Sequence, residues 1–577
     1  MKKLSVFLVL CMMLTLLAGC GDTKAQSVSE AAVSSAASAA EVPAEEAPVE
    51  EASAGEAPAE ASAEEFSAEE TGPEVDLTIT MPLTEEDVSF TMWHDFVPPL
   101  AEFMPNGMAD NLSYATMEEI SGVHMEITSV TKDSAATNLS LLVASGDYPD
   151  IWDGFAGYYG QGIDTAIEME IIYDLAEYKE MLPNYFSIVD GNEQYSKETY
   201  TDTGAMGLAY CLNTKKVVES GLVMRQDWLD ELAMDVPVTY DDYEKVLTAM
   251  HDTYGGTLWL SYLGDDVTKS FSAGFGITAF NLGNETYFEQ IDGEVKFSPL
   301  EEGYLEYVTL MNKWYNVGLL YPDFVSGTST TTCEPDLMGN GTIAMVSCPA
   351  GFMEQFYAVA SDENFELVAT ARPVKEAGDV IHQGSTVSMT STNGFSISTA
   401  VSDSDPNFEI LTKWLDYWYT QEGSDLANYG VENVSYVRNA DGKVEYTELM
   451  TNNPDGLAFN LCMNRYVLFV GSFLNDNTRT AINYNEKQAE SVEIWTTNAG
   501  DGTYVYPTNV SMSAEESEAF SSAYSDIATY VESQTLGFIT GSVVLNEYDS
   551  FCDTIYSMGI EDLIAIYQTC LDRYNAR

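Results

Sequence analysis

Leu141-Leu142-Val143-Ala144-Ser145-Gly146-Asp147-Tyr148-Pro149-Asp150-Ile151-Trp152-Asp153 is the stretch on which the reading of this chain turns. Its first residues complete a run over 135–144 with apolar side chains at helical spacing, Leu139 and Leu142 among them, and Ser145-Gly146-Asp147 stops it. Residues 148–152 then read as a short buried strand that opens into a loop rich in Gly and Tyr. Upstream, Val88-Ser89-Phe90-Thr91-Met92-Trp93 alternates apolar and polar residues as a first strand does, His94 to Pro99 breaks into a loop, and residues 124–130 form a second strand. Strand, helix, strand is the signature of an α/β layer, in which loops at the carboxyl ends of the strands gather ligands. Trp93-His94-Asp95 and Trp152-Asp153 both emerge at such ends.

Composition sets the outer bounds. The chain has 577 residues, 45% hydrophobic and 12% aromatic, enough to bury a large multi-lobed core and to exclude wholesale disorder. Lys and Arg number 23 against 92 Asp and Glu, a formal net charge of −69. Such a field repels phosphates and anionic headgroups, so no nucleic acid and no charge-driven lipid surface is expected as a partner.

The first 20 residues read as an address. Lys2 and Lys3 precede an apolar run over residues 4–17, shorter than the roughly 20 residues a spanning helix needs, and Leu17-Ala18-Gly19-Cys20 ends it with small residues and a cysteine. This resembles the bacterial lipobox, which implies lipidation of Cys20 and anchoring at the outer face of the cell membrane, the membrane being touched through the lipid alone. Residues 25–74 hold 16 Ala, 13 Glu and 8 Ser with no Lys or Arg, interrupted by Pro43, Pro48, Pro58 and Pro73. Like charges repel and little there is large enough to bury, so residues 21–84 are expected to be a disordered tether.

Six cysteines remain beyond Cys20, none in Cys-x-x-Cys spacing, and the four histidines are scattered, so neither a metal site nor a redox motif is expected. Six buried free thiols are the expectation, with disulfides left open. Further along, residues 287–297 form a hairpin about Asp292-Gly293, Pro299 starts a helix ending near Gly318, residues 411–419 pack as core, and residues 551–574 form a closing helix.

Several fragments in order resemble the maltose-binding-protein-like family of extracellular solute-binding lipoproteins of ABC transporters. They are the 141–153 stretch, Met224-Arg225-Gln226-Asp227-Trp228-Leu229-Asp230 with Val236-Pro237-Val238-Thr239-Tyr240-Asp241-Asp242-Tyr243, Gly341-Thr342-Ile343-Ala344-Met345, Asn393-Gly394-Phe395-Ser396-Ile397-Ser398, residues 415–430, and the Gln568 to Asp572-Arg573-Tyr574-Asn575 tail. The resemblance implies a type II periplasmic-binding-protein-like α/β fold. Two discontinuous lobes, 85–205 with 398–480 and 206–397 with 481–577, are joined by hinge segments and close over a ligand in a central cleft.

That resemblance implies a monomeric binding protein that takes a carbohydrate, first an uncharged oligosaccharide, and passes it to permease subunits, without cofactor or catalysis. Sugars are held by aromatic faces and by carboxylates, amides or Arg on their hydroxyls. The expected ligand residues are Trp93, Asp95, Trp152, Asp153, Tyr158 and Tyr159 from the first-strand and 152–159 loops. Arg225 stands where the family places a cleft tyrosine, and Phe352 near another stacking aromatic. Trp259 faces either ligand or core, and Trp93 has a core plug as its alternative reading. Two other functions stay open: a lipid-anchored glycoside hydrolase, and a surface adhesin or sensor on the same fold. The chain carries none of the Gly-x-Ser-x-Gly, His-Glu-x-x-His or phosphate-loop motifs of catalysis.

Overall fold

The computed structural model describes residues 77–259, 271–279, 286–324, 333, 335–384, 388–507 and 510–577. The leader, Cys20 and most of the expected tether lie outside the described residues. The strands are β1 (Val88–Phe96), β2 (Val123–Thr131), β3 (Ile151–Asp153), β4 (Ala209–Asn213), β5 (Ser220–Arg225), β6 (Thr257–Leu258), β7 (Phe288–Ile291), β8 (Glu294–Phe297), β9 (Ile343–Pro349), β10 (Leu367–Thr370), β11 (Thr390–Ile397), β12 (Tyr436–Arg438), β13 (Val444–Tyr446) and β14 (Leu474–Asn475). They are covered by helices that include α1 (Leu112–Ser121), α2 (Lys132–Ser145), α3 (Glu193–Thr199), α4 (Glu302–Asn316), α5 (Phe408–Tyr417), α6 (Glu486–Thr497), α7 (Ala514–Thr540), α8 (Tyr548–Ser557) and α9 (Ile560–Asn575).

Two sheets organise the body. The first runs β14-β4-β11-β3-β1-β2, with β1 parallel to both β2 and β3, and β11 antiparallel to β3 and β4. The second runs β10-β5-β9-β6, with β5 antiparallel to its neighbours and β6 parallel to β9. Each sheet backs a large apolar core: Phe90, Met117, Tyr185, Trp414 and Trp418 fill the first, and Tyr243, Tyr304, Tyr307, Trp314 and Phe551 the second. The chain passes between the sheets three times: between β4 and β5, between β10 and β11, and after β14.

These crossings correct the expected lobe boundaries. β4 and β11 pair within the first sheet, although 206–397 had been expected to belong to the second lobe. Four of β4's five residues are buried, so the strand lacks the alternation by which sequence reveals a sheet. The tether is also shorter than expected. Ile79, Met81 and Leu83 pack on the first core, and the Leu83 amide donates to the Ser121 carbonyl at 2.9 Å.

Local expectations fare better. The 287–297 hairpin turns through Asp292 and Gly293, both at positive φ, as a two-residue loop requires. β1 is longer than expected because His94, Asp95 and Phe96 continue the pairing with β2. The closing helix is two helices, α8 and α9, broken where Gly559 takes φ 90°. Of the six thiols, five are buried and Cys552 is half-buried, and no disulfide joins them.

Gly394 carries a constraint that bears on the loop after β3. A Cβ there would lie 2.2 Å from the Ala209 carbonyl oxygen, and the Gly394 carbonyl accepts a hydrogen bond from the Gly154 amide at 3.0 Å. Gly394→Ala is therefore expected to destabilise the protein by about 2 kcal/mol or more in chemical denaturation, because backbone rather than a pliable side chain must move.

Candidate functional site

The parallel register places Trp93 beside Trp152, and the period of two along a strand sorts the site into two faces. On one face, Trp93, Trp152, Phe155 and Tyr159 pack under α2 against Ala135 and Leu139. The two indoles lie 6.1 Å apart at 59°, and Trp93 Nε1 donates to Asn138 Oδ1 at 2.7 Å. Both are sealed: Trp93 is 1% and Trp152 0% exposed. This corrects the expectation that they offer a stacking face to a sugar. Together with buried Tyr159, they are the small core that holds the 152–159 loop in place.

Asp95 and Tyr158 remain accessible on this edge. The Tyr158 hydroxyl donates to Asp95 Oδ2, the Tyr158 ring meets Trp93 edge-on, and the Asp95 side chain keeps 24% of its surface open. A carboxylate that accepts from a phenol keeps further lone pairs free to accept hydrogen bonds.

On the opposite face stands a residue that the sequence reading passed over. His94 is buried between the two acids, with Nδ1 on the Asp95 carbonyl oxygen and Nε2 at 2.8 Å from Asp153 Oδ2. A carbonyl and a carboxylate are both acceptors, so this setting favours a proton on each ring nitrogen, the imidazolium form. Burial lowers its pKa, but Asp153 and then Asp95 outweigh that, and the net shift is upward. The Asp153 approach is close without being an aligned hydrogen bond. Both Asp153 oxygens, the Tyr114 hydroxyl and the Trp152 and Trp418 indole nitrogens are buried with no hydrogen-bond partner among the described residues. Tyr114 meets His94 edge-on at 6.0 Å and bridges to Trp418. A polar layer inside an apolar lobe is costly to build. The signal in the sequence was a histidine at the inward-facing position of β1, next to Asp95.

The second sheet treats its three expected residues differently. Arg225 is 4% exposed, its Nε donating to Asp227 Oδ1 at 2.8 Å and its guanidinium lying over Trp228 and Phe365. It pairs with Leu367 at the end of β5 remote from Ser220, which pairs with Pro349, so Arg225 is a structural cation and not a free ligand group. Trp259 is buried against Tyr321, ring centroids 4.9 Å apart. Phe352 follows the carboxyl end of β9, half-buried beside Phe356. There, where the chain enters the second sheet, lie Glu219 and Tyr484. Glu219 Oε1 accepts from the Thr480 hydroxyl at 2.7 Å, and burial pushes its carboxyl upward. Burial and then Glu219 raise the Tyr484 phenol to about 12. Both residues sit in irregular crossing segments whose sequence carries no periodic signal.

The His94 ion pair makes stability depend on pH. Below the ordinary histidine value of about 6.5 its contribution is fully present, and it is lost as pH rises through the raised folded value. Between pH 6 and 9 the thermal midpoint of the wild type is expected to fall more steeply than that of His94→Gln. Parallel profiles would remove the imidazolium assignment.

No family model matches the chain. Lipoprotein LipO of Bacillus subtilis is 22% identical over 287 residues, 47% of this chain, and the match spans about half (53%) of LipO's own length. The fructooligosaccharide ABC transporter substrate-binding protein FusA of Streptococcus pneumoniae is 22% identical over 538 residues, 86% of this chain and 92% of FusA. The structure of FusA in complex with kestose superimposes with a TM-score of 0.66 at 17% identity, over 85% of this chain and 99% of that one. A human-milk-oligosaccharide-binding (HMO) solute-binding protein of Bifidobacterium longum infantis gives a TM-score of 0.67 at 15% identity, over 85% of this chain and 99% of that one. The chain therefore has the two-lobed α/β fold of ABC-transporter solute-binding proteins, as its sequence fragments anticipated.

Proposed function

We propose that this protein is the solute-binding lipoprotein of an ABC importer, capturing an oligosaccharide between its two lobes and delivering it to membrane permease subunits. The observation that carries this reading is the similarity to FusA along 86% of the chain, on a body whose two sheets are linked by three crossings. Crossings of that kind allow the lobes to reorient, and a ligand touching both shifts the population toward the closed arrangement.

The ligand is an uncharged sugar. Asp95 and Tyr158 offer acceptors and a phenol at the first sheet, and Glu219, Tyr484 and Phe352 offer a carboxylate, a phenol and a ring at the second. Arg225, the one cation among the expected ligand residues, is already committed to Asp227. An anionic saccharide would meet the field of a chain at −69 without compensation. The protein binds without cleaving. Its lipid on Cys20 holds it outside the membrane as a monomer, and no helix among the described residues is long and apolar enough to cross a membrane.

A panel of fructo-, malto-, human-milk and alginate oligosaccharides scored by thermal shift tests this. A neutral oligosaccharide at 100 times its Kd is expected to add about 2.7 kcal/mol of apparent stability, with the sugar recovered intact after prolonged incubation. Asp95→Asn should lower affinity about tenfold with little change in the ligand-free midpoint. Preference for alginate or cleavage of any sugar would overturn the reading. Cys20→Ala is expected to move the protein from the detergent-extracted membrane fraction to the medium.

A further inference from the structure

The three covalent crossings are not the only ties between the two sheets. α9 is packed into the second core through Ile560, Leu563, Tyr567 and Leu571. Its last turn carries Arg573, and Arg577 follows. Both guanidinium groups reach across to Asp202, in the loop after α3, a helix whose Tyr195 is buried in the first core. Arg573 Nε donates to Asp202 Oδ2 at 2.9 Å and Arg577 Nε to Asp202 Oδ1 at 2.8 Å.

Each side of this contact is braced. On the first lobe, the hydroxyls of Thr201 and Thr203 donate to Asp164 Oδ1 at 2.7 and 2.8 Å, fixing the loop on both sides of Asp202. On the second, Arg573 is held in a fork by Glu516 at 2.9 and 2.7 Å and by the Ser511 carbonyl at 2.7 Å. Hydrogen bonds from Arg573 draw the Glu516 carboxyl down to about 2, so that acid stays charged across the physiological range. Arg577 is almost buried and also donates to the Lys197 carbonyl at 3.0 Å, while Lys197 and Arg577 flank the Tyr574 ring. A chain with 23 basic residues against 92 acids commits two of them to one carboxylate. Planar forks of this kind fix orientation as well as distance.

We propose that Asp202 with Arg573 and Arg577 is an ionic clasp between the lobes, which fixes their relative orientation and sets how readily they reorient about the crossings. The clasp goes beyond the binding reading and stands whichever solute is bound. The Arg573 side chain keeps 33% of its surface open to solvent, so salt reaches the clasp.

Single-molecule energy transfer between dyes at the exposed positions Leu141 and Val317, attached through unnatural ketone side chains so that the free thiols stay unlabelled, reads the orientation in the full chain. Without ligand, Asp202→Asn is expected to broaden the distance distribution and shift the ratio of orientations about fivefold or more. Arg573→Gln added to Asp202→Asn should add little, because both remove the same tie. An unchanged distribution in a folded Asp202→Asn protein overturns the clasp. If that variant does not fold, the wild type in 1 M salt decides, with broadening in support and an unchanged distribution against. A change in sugar affinity is not the readout, so failure of the transport reading leaves this test intact.

Discussion

Register between β1 and β3 is the constraint on which the candidate site depends. Because adjacent residues of a strand point to opposite faces, pairing Trp93 with Trp152 sends both indoles under α2 and sends His94 and Asp153 together into the first core. A slip of one residue in β1 would swap its two faces, turning Trp93 toward the first core and His94 under α2. The Trp pair is therefore a device for holding acids at the ends of strands rather than a surface for ligand. Its energetic role is burial, and its packing holds Asp95 and Tyr158 at the edge in a fixed geometry.

Charge explains a second layer of the design. With 23 Lys and Arg against 92 Asp and Glu, each cation is scarce. The basic residues that matter are spent where acids must be held still. Arg225 neutralises Asp227 inside the second lobe, His94 sits between Asp95 and Asp153, and Arg573 and Arg577 converge on Asp202. Asp227, Asp153 and Asp202 would each repel neighbouring acids if left alone, and each is held by a cation with a fixed fork or ring.

The sequence carried the α/β class, the 287–297 hairpin, the helix at 300–318 and the glycine stop of α2, because these follow from local φ preferences and periodicity. It also carried the fragment order that anticipated the two-lobed fold. It missed where the sheets divide. β4 and β11 are strands of the first sheet reached after long excursions, and nothing local to Ala209–Asn213 says which sheet they complete. It also treated aromatic residues near a ligand loop as ligand residues, since a tryptophan one face away from a cleft has the same neighbours in sequence as one facing it.

Sequence alone thus determined the first strands, the 287–297 hairpin, the helix that begins near Pro299 and the glycine stop of α2, because these are properties of neighbouring residues. Only the tertiary structure decided which face each residue of Trp93 to Asp95 and Trp152 to Tyr159 occupies, that Arg225 is already paired, that His94 joins two acids, and that Asp202 meets Arg573 across 371 positions of chain. Burial and ion pairing between distant residues depend on how the chain returns to itself, and that information is held by the packing of the whole rather than by any window of it.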